Sequence, residues 1–129
     1  MKPLAEMAID VLNTADGRAK TTLSRAYAAQ WKAARDAGET PKIGQVTPPD
    51  TPARPDKPAL LNPRDVPRRK PGSPQGRIAL LHAVAHIELN AVDLHWDIIA
   101  RFTDTPMPIG FFDDWVKAAD EESKHFNLM

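Results

Sequence analysis

The sequence has no cysteine, which excludes disulfides, thiolate-bound zinc and a cysteine nucleophile. It has no apolar run approaching the roughly 20 residues of a membrane span. Its first residues, MKPLAEMAIDV, are interrupted by Pro3, Glu6 and Asp10, so no secretory signal is expected. Net charge is missing too: 17 basic and 17 acidic residues cancel, and the total calls for neither a nucleic-acid nor a membrane partner. Strand signals are absent. What remains is the expectation of a cytoplasmic, all-α chain whose 129 residues suffice for one modest domain.

Proline, by contrast, is in excess and unevenly placed. Residues 41–74 hold ten of the thirteen prolines. No helix interior or central strand tolerates that density, so the stretch predicts extended, polyproline-like backbone. Leu60, Leu61 and Val66 offer anchors for a strap lying on the domain surface rather than a free linker. The run Pro67-Arg68-Arg69-Lys70 could touch phosphate or RNA, although charges beside proline are also the ordinary make-up of a solvated loop.

Helical signals flank the strap. Leu4, Met7, Ala8, Val11 and Leu12 give a short amphipathic helix within residues 1–13, ended by Thr14-Ala15-Asp16-Gly17. A second helix is expected over about 18–37, with a weak stripe through Leu23, Tyr27, Trp31 and Ala34, and Gly38 is placed as its stop. Ser73-Pro74 has the capping hydroxyl and first-turn proline of a helix start, and from there to Phe102 no further proline intervenes. A final helix follows from about Pro108, after a connection too short for anything but an antiparallel hairpin. The expected organisation is an N-terminal helical segment (1–38), a strap or linker (39–73) and a helix hairpin (74–129).

Charge is segregated although it sums to zero. Residues 78–129 contain nine Asp/Glu, three Lys/Arg and all four histidines. On the first hairpin helix the stripe spaced 4-3-4-3 reads Leu81, Ala85, Glu88, Val92, His95, Ile99, Phe102; on the second it reads Phe111, Trp115, Ala118, Glu122, His125, Met129. Each stripe is interrupted by a glutamate, and His125 follows Glu122 by one turn. Two carboxylates aimed at one seam repel and are costly to desolvate, and a divalent cation removes both penalties. One Glu plus a Glu-x-x-His is half of the di-metal carboxylate constellation of ferritin-like bundles. Glu-x-x-His by itself is also what a solvated helix end commonly contains, with Glu121 as its exposed neighbour. His82 and His86, spaced i, i+4, share a face that Asp93 and Asp97 continue; they read as a second-shell or hydrogen-bonding row, with zinc ligation by the pair as the other possibility. His95, one heptad or about 10 Å beyond Glu88, suits a polar core position or a channel wall. The aromatics Trp96, Phe111, Phe112, Trp115 and Phe126 are first of all packing residues.

The blocks GRIALLHAVAHIELNAVDLHWDIIARF and MPIGFFDDWVKAADEESKHFNLM, together with PRRKPGSPQGR before them, resemble the uncharacterised ferritin-like proteins grouped as "domain of unknown function 455". The resemblance covers essentially the whole chain. It implies a ferritin-like four-helix bundle with a carboxylate-bridged metal pair, Glu88 serving as first-helix ligand and Glu122 and His125 as second-helix ligands. Iron is the metal it implies, with manganese or zinc as alternatives. Members of that family continue through a third helix with a Glu and a fourth with a second Glu-x-x-His, so this chain carries half the ligands. The missing half could come from a longer form of the protein, from another polypeptide, or from a second copy in a homo-oligomer. The function expected is that of a di-iron oxidoreductase or oxygenase-like protein of unknown substrate. The alternatives are a non-catalytic helical interaction module and, more weakly, an RNA-associated protein using Arg68–Lys70.

Overall fold

A computed structural model describes residues 1–54 and 73–128, and all regular structure among them is helical. The helices are α1 (Leu4–Leu12), α2 (Gly17–Asp36), α3 (Pro74–Arg101) and α4 (Ile109–Asn127). The expected anchors Leu60, Leu61 and Val66 and the Arg68–Lys70 cluster lie outside the described residues, as does Met129.

Helix α1 has nine residues, too few to hold together unaided. It buries Leu4, Ala5, Met7, Ala8, Val11 and Leu12, and it lacks a side-chain cap. The strap satisfies its ends instead. Leu4 and Ala5 donate their backbone N–H groups to the carbonyls of Lys42 and Ile43, and Ala53 N–H donates to the carbonyl of Leu12. The described half of the strap therefore runs the length of α1, with Ile43 and Val46 packed on the core. Gly44 is needed there: its φ of +79° disfavours a side chain, and a Cβ would stand 2.9 Å from that of Pro3.

Helix α2 starts where Asp16 accepts from Ala19 N–H and stops before Gly38, at φ +82°. Its buried face is unusually polar: Lys20, Thr21 and Ser24 stand beside Ala28 and Trp31. Each polar group is matched. Lys20 Nζ donates to Asp93 Oδ1 at 2.5 Å and to the carbonyl of Ala53 at 2.8 Å. Thr21 bonds Asn127 Oδ1 at 2.8 Å. Ser24 Oγ accepts from the Trp96 indole and is hydrogen-bonded to Ser123 Oγ. The Trp31 indole donates to Asp113.

Helices α3 and α4 form the expected antiparallel hairpin, with Ser73 Oγ accepting from Gly76 N–H at the start of α3. One side of the hairpin is packed by α1 and α2, and α1–α4 all contribute to one core. That packing corrects the two stripes. Beyond Gly76 in its first turn, the residues buried on α3 are Leu89, Val92, Asp93, Trp96, Ile99 and Ala100, while Leu81 and Phe102 are exposed. On α4 they are Phe112, Val116, Ala119 and Ser123, whereas Phe111, Trp115, Ala118 and Glu122 are only half-buried. Each helix turns its innermost face toward α1 and α2; of the α3 stripe Val92 and Ile99 are buried with that face, and the other described positions of the two stripes are half-buried or exposed along the edge of the seam.

The Lys20–Asp93 pair sits where α2, α3 and the strap meet, and both side chains are essentially inaccessible. Burial pushes the Lys20 ammonium below its ordinary range and the Asp93 carboxyl above its own, and the hydrogen bond between them opposes each shift. Arg54 Nε stands 3.3 Å from the second Asp93 oxygen, without hydrogen-bond geometry. Replacing Lys20 alone with methionine strands a buried carboxylate and is expected to cost about 3–5 kcal/mol in urea unfolding. The double replacement Lys20→Met, Asp93→Leu should recover most of that loss. A double variant no more stable than Lys20→Met would show that the stranded charge is not what the single change costs.

A candidate metal site at the α3–α4 seam

Glu88 lies in the middle of α3, and Glu122 and His125 lie one turn apart near the end of α4. The antiparallel register sets them against one another. His125 Nδ1 is 3.6 Å from Glu88 Oε2 and 3.5 Å from Glu122 Oε2. One ligand-type atom from each residue falls within 4.8 Å of the others, and among the described residues this is the only such group of three or more. The glutamates are 19% and 26% exposed and the imidazole 53%, so the carboxylates are largely withdrawn from water while the histidine forms the outer lip. No described side chain donates a hydrogen bond to either carboxylate. Two converging carboxylate oxygens and a ring nitrogen make a mixed hard and borderline donor set, the kind that could hold Fe²⁺, Mn²⁺ or Zn²⁺.

The remaining residues singled out in the sequence are not brought to this point. Asp93 is turned away into the Lys20 pair. At 100° per residue, His82 and His86 sit about 120° and 160° round α3 from Glu88. His82 is exposed; His86 is half-buried, and burial followed by the charges of His82 and Arg54 holds its pKa below 6.5. Asp93, His82 and His86, expected as a second shell, share a face of α3 turned away from the seam, where Asp93 meets Lys20 and Arg54. His95 does lie along the seam, one heptad nearer the hairpin turn. Its ring packs against Trp115 at a tilt of 43°, with centroids 5.3 Å apart, and its buried Nδ1 has no hydrogen-bond partner among the described residues. Lys20, Arg54, Ser24 and Ser123 went unnoticed as partners, since Lys20 is 73 residues from Asp93 and Ser24 is 99 from Ser123. A polar residue at an inward position of α2 was the one available signal.

A groove of about 810 Å³ runs between α2 and α4, lined in part by Trp31, Arg35, Asp113 and Val116. None of the three clustered residues lines it, and its rim is closed by the ion pairs Arg25–Asp120 and Arg35–Asp113. Convergent chemistry, rather than hollow space, marks the seam as the site.

An all-helical chain with a carboxylate–imidazole cluster between two antiparallel helices is the class that this geometry defines. The chain belongs to the family described as protein of unknown function (DUF455), which matches residues 13–129. An uncharacterised protein of Haemophilus influenzae is 43% identical over 82 residues, a stretch covering 60% of this chain and 28% of that protein. The chain thus matches less than a third of that relative's length. No solved structure matches.

His95 gives the seam a pH dependence. Burial is the main cause that holds its pKa below 6.5, against a backbone hydrogen bond at Ala118. The folded state binds this proton less tightly than the unfolded chain does. The resulting stability is present above about pH 6.5 and is lost as pH falls through the depressed folded value. His86, shifted the same way, adds to the slope. The thermal midpoint of the wild type is expected to drop between about pH 7.5 and 5.5, and His95→Phe, which keeps a ring against Trp115, should flatten that drop. An unchanged slope in His95→Phe would assign the dependence elsewhere.

Proposed function

We propose that the chain is one half of a ferritin-like di-metal centre, with Glu88, Glu122 and His125 as its ligands, and that the completed protein is an oxidoreductase whose substrate is not yet identified. The observation that carries this reading is the meeting of those three side chains, from two helices, at a largely buried seam where, among the described residues, only the imidazole itself stands close enough to offset the carboxylates. Two ionised glutamates supply negative charge for a divalent pair, and His125 supplies a neutral nitrogen. Iron is the metal favoured, and when bound it would provide electron exchange with dioxygen. Trp115, Phe111 and His95 wall one end of the seam, where they would limit water. One Glu and one Glu-x-x-His make half a set, and among the described residues no helix packs on the side of the hairpin away from α1 and α2, where another set could be received. No helix among the described residues is long and apolar enough to cross a membrane, and a cytoplasmic setting, which keeps iron reduced, suits the chemistry.

The test is anaerobic loading with Fe²⁺, Mn²⁺ or Zn²⁺, with bound metal counted after desalting. The wild type should retain metal, and Glu88→Ala and His125→Ala should each bind at least about tenfold more weakly while unfolding like the wild type. A wild type that retains none would sink the reading. It would favour the alternative, a non-catalytic interaction module, for which the row of exposed apolar residues on α3 speaks.

A further inference from the structure

Away from the seam, two further imidazoles stand together. His82 and His86 lie one turn apart on α3, a spacing that puts their Cβ atoms about 5–6 Å from each other on one face. The rings are near enough for the charge of His82 to act on His86. Neither has a hydrogen-bond or ion-pair partner among the described residues. No described carboxylate joins them in a group of three. Arg54, the charged neighbour that bears on His86, is itself engaged by Asp93 and by Asn90.

A neutral imidazole has one lone pair to give, and two at this spacing can hold one cation at about 2.0–2.1 Å from each nitrogen. Nitrogen donors without a carboxylate select borderline cations such as Zn²⁺, Ni²⁺ and Cu²⁺ over Mg²⁺ or Ca²⁺. The stretch carrying the pair is also the least supported part of α3. From Arg77 to Glu88 no residue is buried, and Ile78, Leu80, Leu81 and Ile87 are exposed. These turns rest chiefly on their own backbone hydrogen bonds, which open readily without packing. A cation bridging residues 82 and 86 would close one of the turns that lead into Glu88.

We infer that His82 and His86 form a second metal site, a two-histidine chelate for a borderline divalent cation that staples the first half of α3. The pair sits about 120° and 160° round the helix from Glu88 and shares no ligand with the seam.

The test uses the full chain with Glu88→Ala and His125→Ala, which removes two of the three seam ligands. The chain has no cysteine, so His82, His86 and His95 are the nitrogen donors that remain. Titrated with Zn²⁺ or Ni²⁺ at about pH 7.5, this double variant is expected to bind one equivalent, and Mg²⁺ none. Adding His82→Ala, or His86→Ala, should weaken that binding at least about tenfold, because one imidazole alone does not chelate. Alanine is the best helix former, so the circular dichroism spectrum should not change with either replacement. Bound Zn²⁺ should also slow amide exchange over residues 77–88 by about fivefold or more, and His82→Ala should abolish that protection. A double variant that binds neither Zn²⁺ nor Ni²⁺ overturns the inference. So does binding that survives the loss of either histidine, and so does exchange that Zn²⁺ leaves unchanged. Because the seam ligands are already replaced, the outcome stands whether or not the seam itself holds metal.

Discussion

The arrangement depends on one buried contact, the ion pair between Lys20 and Asp93. Helix α2 offers little apolar surface inward beyond Ala28 and Trp31. Hydrophobic burial is non-directional and would leave its rotation weakly determined. A buried ammonium and a buried carboxylate cannot be left apart, because each alone would carry the full cost of desolvation. They therefore lock α2 against α3 at one azimuth. Lys20 also holds the carbonyl of Ala53, so the same atom ties down the strap that caps both ends of α1.

Once α2 is set, the rest of the polar seam follows. Ser24 can reach both Trp96 and Ser123 only in that orientation, and Thr21 meets Asn127 on the last turn of α4. Close approach at that end is visible at Gly17, where a Cβ would stand 2.9 Å from the Phe126 ring. The hairpin is held from one side by α1 and α2, and its innermost residues are spent there. The Glu88, Glu122 and His125 side chains are left at the border between the packed face and the open one. A carboxylate cluster at such a border can be reached by a cation and by a further helix alike, a property that a core position would deny it.

Much of the fold was legible in the sequence because its signals are local. Asp16, Ser73, Pro74 and Gly38 start and stop helices through groups within a few residues of themselves. Density of proline over residues 41–74 excluded helix in the same local way, and the described half of that stretch is irregular. The pairing of Glu88 with Glu122 and His125 was legible too, since a short connection forces two helices antiparallel and leaves few registers. The pairing of Asp93 was not legible because its partner lies on another helix 73 residues away, and no spacing rule on α3 points to Lys20. His82 and His86 were grouped with Asp93 by their common face, and that face is turned away from the seam.

By itself the sequence determined four helices, the hairpin, and the glutamates that break its apolar stripes. The tertiary structure alone decided which face of α3 is inside. That helix carries apolar residues around most of its circumference, from Leu94 through Val84 and Val92 to Ala100, so periodicity identifies an amphipathic helix without choosing its buried side. The choice belongs to α1 and α2, which take the arc through Leu89, Trp96 and Asp93. The row of Leu80, Ile87 and Leu94 is exposed because the same helix cannot turn both faces toward them.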